Sequence, residues 1–233
     1  MTTDDLPLTQ DLVGAWQAMV DTMAMIVGVP AGLIMRLSGE EIEVFVSSRT
    51  ENNPYKPGDK EHFFDSGLYC ETVVRSGDPL LVPDALADPD WEGNPDVKLG
   101  MISYLGLPIL LPDGNPFGTI CILDNKANPF SDLYLRLLTE FKSMVEGHLR
   151  LAVLNRALDE KNHELESALA EVQDLREILP VCMKCKRVRD DDGYWARLEA
   201  YLAARRNIVV SHGLCPTCAD EWEKELEASL SDT

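Results

Sequence analysis

Two cysteine pairs near the C-terminus constrain the fold of this chain more than any other feature. Cys182 and Cys185 form one pair, Cys215 and Cys218 form the other, and two residues separate the cysteines of each pair. This spacing lets two thiolates bind one metal ion, and four thiolates complete a closed tetrahedral zinc site. A closed site keeps no open coordination position, so the Zn²⁺ would be structural rather than catalytic. We therefore predict a zinc-binding module over residues 180–233.

Three other interpretations of the same cysteines stay open. A C-x-x-C pair also suits disulfide exchange, which would make the module a redox sensor that switches between zinc-bound thiolate and disulfide. An iron–sulfur cluster can use the same four thiolate ligands. His212 lies three residues before Cys215 and could replace a cysteine as ligand, although a histidine that only supports the site is the simpler interpretation. Two pairs so close together favour zinc.

The remaining pattern of the tail predicts how the two pairs are connected. Residues 194–205 have the spacing of a helix, residues 208–210 are a short apolar strand, and a final helix follows Cys218. The positive N-terminal end of that helix favours a thiolate. The order knuckle, helix, strand and knuckle resembles a small treble-clef-like zinc fold.

Composition limits the class of protein and its partners. The chain has 233 residues, of which 45% are hydrophobic and 26% are charged, which is enough for one large domain with a core and a smaller module. Its net charge of -19 would repel phosphates, so nucleic acid is not an expected partner. One basic cluster, residues 184–189, lies beside the first cysteine pair and leaves a local contact with nucleic acid open.

The sequence pattern shows no signal peptide or membrane-spanning segment, which favours a cytoplasmic location. The N-terminus is acidic, which is the reverse of the basic start of a signal peptide. The apolar stretch 23–34 contains two glycines and a proline and is too short to span a bilayer. Six cysteines without a secretory signal favour reduced thiols. We expect a cytoplasmic protein without a membrane partner.

The first 150 residues predict an α+β domain. Helical apolar spacing marks residues 8–26, and a short helix over residues 69–76 ends at Gly77. Alternating or continuous apolar runs predict strands at 31–35, 43–47, 80–82, 103–111 and 117–124. The last two flank Asp113-Gly114, which is typical of a β-hairpin. Hairpins and helices in this order predict an antiparallel sheet flanked by helices.

From Ser131, a plausible N-cap, the pattern turns helical and then takes on a seven-residue repeat. One apolar series is Leu151, Leu158, Leu165, Val172 and Leu179, and the alternate positions are Leu154, Lys161, Ala168 and Leu175. Two such series predict a coiled-coil linker helix over residues 151–179, most simply a parallel homodimer. Lys161 weakens the seam but can set its register. The alternative is a single amphipathic helix that packs back on its own domain.

Residues 31–150 resemble a GAF domain, a small-molecule-sensing fold, and we assign residues 1–150 to this sensory domain. Particular segments carry the resemblance. They are Tyr69-Cys70-Glu71-Thr72-Val73, Pro79-Leu80-Leu81-Val82-Pro83-Asp84-Ala85, Tyr104-Leu105-Gly106-Leu107-Pro108-Ile109 and Gly118-Thr119-Ile120-Cys121-Ile122-Leu123-Asp124. The resemblance implies a central antiparallel sheet and terminal helices that pair with those of a second subunit. Residues 178–218 resemble a cysteine-rich segment appended to some bacterial GAF proteins, response regulators and histidine kinases. This second resemblance implies a role in signalling without naming an output.

A ligand pocket, if the resemblance holds, would lie between the sheet and the loop 84–101. Trp91 and Tyr104 are candidate lining residues, with Cys70 beside them, and ordinary core packing explains them equally well. Cys70 and Cys121 are each expected to behave as buried small hydrophobes.

The chain resembles an enzyme class only in part. Free methionine sulfoxide reductases are GAF domains that use cysteines, and Cys70 falls near one of their cysteine positions. However, no cysteine occurs in residues 88–101, where the resemblance would require the catalytic one. We therefore predict no catalytic residues. The predicted function is a homodimeric sensor that receives a small ligand or partner and transmits through the coiled coil to a zinc-stabilised module, which docks a signalling protein.

Overall fold

The computed structural model describes residues 3, 6–91, 93–176, 180–190, 192–206 and 211–231. The chain divides into two compact units, Met1–Asn162 and His163–Thr233, and each is described by itself. Leu179 of the heptad series and the strand predicted at 208–210 lie outside the described residues. In the part of the chain that the structure describes, no helix has the length and apolar character needed to cross a membrane.

The first unit is built on a six-stranded antiparallel sheet, which confirms the predicted α+β class. Its strands are β1 (Ala31–Ser38), β2 (Glu41–Ser47), β3 (Lys60–His62), β4 (Leu80–Val82), β5 (Ser103–Leu110) and β6 (Pro116–Asp124). Their order across the sheet is β3-β2-β1-β6-β5-β4. The predicted hairpin of β5 and β6 is present. The sequence pattern did not reveal β3, because its three residues are all exposed and carry no apolar alternation.

The described residues up to 176 form four helices: α1 (Gln10–Val27), α2 (Tyr69–Ser76), α3 (Pro95–Lys98) and α4 (Asp132–Arg176). Thr9 caps α1 by accepting a hydrogen bond from the Leu12 N–H, at 3.3 Å. Helix α2 has the predicted bounds and ends at Gly77, whose φ of 72° is the left-handed conformation that glycine adopts most readily. The long helix predicted after Ser131 is also present as α4.

The sheet is covered on both faces. On one face, α1 and α4 bury a core that contains the edge-to-face aromatic cluster of Trp16, Phe45 and Phe117. On the other face, α2 and the loops bury a second core around Tyr69 and Tyr104. Alternate residues of a strand point to opposite faces, so a strand covered on both sides is apolar throughout. This explains the continuous apolar runs in β1 and β6.

The second unit contains a small hairpin between the two cysteine pairs. Strand β7 (Val188–Arg189) pairs with β8 (Trp195–Ala196), and helices α5 (Leu198–Arg206) and α6 (Pro216–Ser231) follow. The prediction that a helix begins at residue 194 was wrong, because Trp195 is held in the hairpin opposite Arg189. Among the described residues of this unit, Val188 is the one hydrophobic side chain that is buried.

At Gly118, the backbone of β6 lies very close to the backbone of β1. A Cβ added at Gly118 would lie 1.9 Å from the backbone oxygen of Met35, which cannot move without opening the pairing. We expect Gly118→Ala to lower the free energy of unfolding by about 3 kcal/mol, the upper part of the range for overpacking. Urea unfolding followed by tryptophan fluorescence measures this change.

Gly14→Ala is the matched control for this substitution. Gly14 is an exposed position of α1 with no atom within 4 Å of the added Cβ, so alanine should raise stability by about 0.5–1 kcal/mol. Equal effects of the two substitutions would contradict the close approach of β6 to β1.

Candidate functional site

Tyr104, one of the predicted pocket residues, is fully buried beneath α2 and the loops. Its ring lies over Gly106 of the same strand, where an added Cβ would be 2.0 Å from the Tyr104 hydroxyl oxygen. Tyr69 of α2 stacks on Tyr104 with 4.8 Å between ring centroids, and the Trp91 ring lies 5.1 Å from that of Tyr69. The structure thus brings all three predicted pocket residues, including Cys70, into one layer. Their role in ligand binding stays a prediction.

The Tyr69 hydroxyl is the candidate in this layer for a hydrogen bond to a ligand. It is buried and has no hydrogen-bond partner within the described part of the chain. Burial, together with the carboxylates of Asp96 and Asp84, raises the pKa of Tyr69, so the hydroxyl is protonated and available as a donor. An unpaired buried hydroxyl costs about 1–3 kcal/mol, which a polar ligand atom or a water molecule would offset. Sequence analysis missed Tyr69 because it counted as an apolar residue of α2.

A partly buried hydrogen bond joins the loop after β2 to helix α3. The Tyr55 hydroxyl donates to a carboxylate oxygen of Asp96 at 2.7 Å. Burial raises the pKa of Asp96 to about 6, although the bond from Tyr55 works in the opposite direction. Asn94 adds a second link: its side chain caps α3 at the Asp96 N–H and donates to the Gly67 carbonyl, each at 2.8 Å. The sequence offered no local signal for contacts between such distant loops.

Glu71 fixes the start of α2. Its carboxylate accepts hydrogen bonds from the backbone N–H groups of Asp65, Ser66 and Gly67 at 2.7–2.9 Å and pairs with Arg75 at 2.9 Å. Burial favours the neutral acid, but these donors outweigh it and hold the pKa of Glu71 below its usual value. The carboxylate therefore stays ionised and positions the helix that carries Tyr69 and Cys70.

Both core cysteines are buried, as expected, but their surroundings are polar. Thr119 donates its hydroxyl to the Cys70 sulfur at 3.2 Å, and the Tyr104 hydroxyl lies 3.5 Å from the same sulfur. Cys121 lies in the same buried layer, and its thiol contributes to lowering the pKa of Cys70. Treating each cysteine as an isolated hydrophobe was therefore incomplete, because residues distant in sequence meet here.

Each C-terminal cysteine pair forms a tight knuckle. The N–H groups of Cys185 and Lys184 lower the pKa of Cys182 by hydrogen bonding to its sulfur. The N–H groups of Cys218 and Thr217 do the same for Cys215, immediately before α6. Backbone donors of this kind stabilise thiolates, which are the metal-binding form of cysteine. Each pair by itself therefore fits two of the ligands of a tetrathiolate site.

The two knuckles do not meet in the structure. Among the described residues, which include all four of these cysteines and His212, no three histidine, cysteine or acidic side chains form a group able to hold a metal ion. The four-cysteine zinc site, and any part of His212 in it, stays a prediction.

Comparison with known families decides the class of the first unit. The sequence profile of the GAF domain family, GAF_2, matches residues 9–143, which is more than half of the chain. The chain belongs to the GAF domain family. No curated protein sequence matches it. The predicted resemblance to a GAF domain is therefore confirmed, and the matched residues include α1.

Solved GAF domains share this fold at low sequence identity. The blue-light absorbing form of the Thermosynechococcus elongatus PixJ GAF domain is 14% identical, with a TM-score of 0.54 over 66% of this chain and 94% of that one. Residues 122 to 287 of a methyl-accepting chemotaxis protein are 14% identical, with a TM-score of 0.54 over 66% and 98%. Free methionine-R-sulfoxide reductase from Neisseria meningitidis, in complex with its substrate, is 15% identical, with a TM-score of 0.52 over 66% and 84%. At these identities the likeness shows the fold alone.

The buried carboxyl of Asp96 makes the stability of the GAF domain depend on pH. Its pKa is about 6 in the folded protein and 3.8 as the ordinary value, so the folded state holds the proton more tightly. The stabilisation is fully present below pH 4 and is lost as the pH rises through 6, by up to about 3 kcal/mol. Asp96→Asn keeps an acceptor for Tyr55 and removes the charge. We expect this variant to be more stable than the parent at pH 8.

Urea unfolding of both proteins at pH 5 and pH 8 measures this effect. The other titrating groups are common to both proteins, so the difference between the two pH slopes isolates Asp96. The same slope in the variant and the parent would show that Asp96 is ionised throughout.

Proposed function

We propose that this chain is a cytoplasmic, homodimeric, non-enzymatic signalling protein. Its GAF domain receives a small ligand or a protein partner, α4 transmits the change as a coiled coil, and the C-terminal module docks a downstream signalling protein. GAF domains serve as sensory domains in signalling proteins, and a methyl-accepting chemotaxis protein is among the structures with this fold. The unpaired Tyr69 hydroxyl supports a polar small ligand beneath α2.

The surface of α4 carries the proposal. Leu138, Val145 and Leu149 of this helix are fully buried in the GAF core. Farther along, the seam leucines Leu151, Leu154, Leu158 and Leu165 are between 52% and 61% exposed at the predicted heptad spacing. A helix that packed back on its own domain would bury these side chains. A second copy of the same helix offers an identical apolar seam, and burial of a leucine contributes about 1.5–3 kcal/mol.

Hydrogen bonds join the sheet and α1 to the first half of α4. The backbone N–H of Leu110, in the strand that carries Tyr104, donates to the Glu146 carboxylate at 2.9 Å. Trp16 of α1 donates its indole N–H to His148 at 3.1 Å. A ligand that favours one arrangement of β5 would bias α4 through these contacts, provided that it binds two packings of the coil with different affinity.

The small buried core of the C-terminal unit supports the proposal that this unit needs a metal to fold. Val188 is its one buried hydrophobic side chain among the described residues, and a module with so small a core needs a cross-link or a metal to fold. Cys182, Cys185, Cys215 and Cys218 would hold a structural Zn²⁺. Assembly of the site would bring the two knuckles together around one ion. Exposed aromatic side chains, among them Trp195 and Trp222, would then contact the signalling partner.

A redox role for the same cysteine pairs is the second candidate. Cys185, Cys215 and Cys218 are exposed, and the thiolate-stabilising donors at Cys182 and Cys215 increase the reactive fraction of each pair. Oxidation would then release the metal and form disulfides. Reductase activity is not proposed, because the likeness to the reductase shows the fold alone and residues 88–101 contain no cysteine.

Charge in the seam tests the dimer. Leu158→Lys places a cation in the core of the proposed coil, where the partner helix would leave it desolvated. We expect the dimer to weaken by at least about tenfold in dissociation constant, which corresponds to about 1.4 kcal/mol. Sedimentation equilibrium of the full chain over a concentration series measures the constant.

Ala170→Lys is the control, since Ala170 is an exposed position of α4 outside the two heptad series. It adds the same charge and should leave the dissociation constant unchanged. A parent chain that is monomeric at all concentrations, or equal weakening by both substitutions, would refute a dimer through this seam.

Elemental analysis with thiol titration tests the zinc module. We expect one zinc per chain and exposure of four further thiols on chelation, because thiolates bound to zinc react slowly. Cys70 and Cys121 are protected by burial and should stay unreactive before and after chelation. Cys215→Ser should lose the metal, whereas Cys121→Ser should keep it. Iron in place of zinc would indicate a cluster, and disulfides without metal would favour the redox role.

A further inference from the structure

Cys70 and Cys121 lie far apart in the sequence but meet in the core of the GAF domain. Helix α2 packs on β5 and β6, and the Tyr104 hydroxyl lies 3.5 Å from the Cys70 sulfur. The same hydroxyl lies over Gly106, the residue of β5 that pairs with Cys121 of β6. Both side chains belong to the same buried layer as Tyr69 and Tyr104. Thr119 lies two residues before Cys121 on the same face of β6. The sheet therefore places a hydroxyl and a thiol beneath the Cys70 sulfur.

The two sulfurs have different surroundings. The hydrogen bonds of Cys121, Thr119 and Tyr104 lower the pKa of Cys70, and burial works against them. Burial and its bond to Cys70 raise the pKa of Cys121. Hydroxyl donors stabilise a thiolate, which is the reactive form of cysteine. Cys70 accepts the Thr119 hydroxyl at 3.2 Å and is the more exposed of the two, so it suits the attacking role, and Cys121 suits the role of the thiol that resolves the product.

We propose that Cys70 and Cys121 form a peroxide-responsive dithiol that closes a reversible disulfide between α2 and β6. Cys70 is 7% exposed and Cys121 is 0% exposed, so a small oxidant would reach Cys70 first. The thiol chemistry is independent of the coiled coil and of the C-terminal cysteine pairs, so its failure would leave the proposed function untouched.

The reaction balances with hydrogen peroxide as the oxidant. The Cys70 thiolate attacks one peroxide oxygen, the O–O bond breaks, and the hydroxide that leaves takes up the proton lost by Cys70 to give water. The product is a sulfenic acid on Cys70. The Cys121 sulfur then attacks the Cys70 sulfur, the S–O bond breaks, and the second oxygen leaves as water with the proton of Cys121. Two thiols are oxidised by two electrons and one peroxide is reduced to two waters.

A disulfide at this point would change the candidate ligand layer. It would remove the Cys70 sulfur as acceptor for Thr119, whose hydroxyl is fully buried, and would tie the start of α2 to the sheet. Tyr69, the neighbour of Cys70, stacks on Tyr104, so the position of this aromatic pair depends on the same helix. Oxidation would thus act on the residues that line the predicted pocket.

Peptide mapping of the full chain tests the disulfide directly. Trypsin cuts after Lys60, Arg75, Lys98 and Lys126, so Cys70 and Cys121 fall in two different peptides that contain no other cysteine. After treatment with stoichiometric hydrogen peroxide, alkylation and non-reducing digestion, we expect the two peptides joined as one species. Dithiothreitol should separate them again. Peroxide-treated protein in which both peptides are recovered alkylated would overturn the proposal.

Single variants assign the roles. Cys121→Ser should accumulate a sulfenic acid on Cys70 that dimedone captures, whereas Cys70→Ser should leave Cys121 reduced. Capture on Cys121 in Cys70→Ser at the rate seen for Cys70 would overturn the assignment of the attacking thiol. Circular dichroism of each variant establishes that it is folded before oxidation.

Thr119→Val distinguishes a tuned thiol from a merely buried one. Valine keeps the shape of threonine and removes the hydroxyl donor to Cys70. Loss of a hydrogen bond to a charged group should slow oxidation of Cys70 about tenfold. Thr72→Val, at an exposed position of the same helix as Cys70, should leave the rate unchanged. Equal rates in the parent and both variants would contradict a role for Thr119.

Discussion

The antiparallel pairing of β1 with β6 is the contact on which the rest of the GAF domain depends. It joins the N-terminal hairpin to the later one at the centre of the sheet, and Gly118 lets the two backbones come together there. Because side chains alternate along a strand, β6 sends Ile120 and Ile122 to the core under α1 and α4. Thr119 and Cys121 go to the opposite core under α2. One strand therefore supplies both the packing that anchors α4 and the polar groups of the candidate site.

The core under α2 differs in kind from the core on the other face. It combines stacked aromatic rings with buried polar groups, namely a carboxyl, two thiols and several hydroxyls, whereas the opposite layer is formed by hydrophobic side chains and a tryptophan bonded to a histidine. Buried polar groups destabilise a domain unless they are paired. The Tyr55 hydroxyl pairs with Asp96, backbone N–H groups pair with the Glu71 carboxylate, and the Thr119 hydroxyl pairs with Cys70. Within the described part of the chain, the buried Tyr69 hydroxyl is left without a hydrogen-bond partner.

The second unit differs from the GAF domain in how much apolar surface its described residues bury. The GAF domain is stable because the sheet buries large apolar side chains on both faces, but the described part of the second unit buries one. A segment with so little buried apolar area needs other sources of free energy to fold. Under the proposed function, the exposed leucines of α4 would supply it by association with another helix, and the two cysteine knuckles would supply it by binding a metal.

The sequence by itself determined the features that depend on neighbours along the chain. The helical period, the Asp-Gly turn, the glycine that ends α2 and the heptad leucines are local patterns, and each corresponds to an element of the structure. The sequence pattern did not predict the short strand β3 or the β7–β8 hairpin, because their residues are few and show no hydrophobic period. Only the tertiary structure decided that Cys70 and Cys121 share one buried layer, that Tyr55 forms a hydrogen bond with Asp96 and that Tyr104 lies over Gly106. These contacts arise from the order of strands in the sheet and from the packing of loops over it, which no local periodicity encodes.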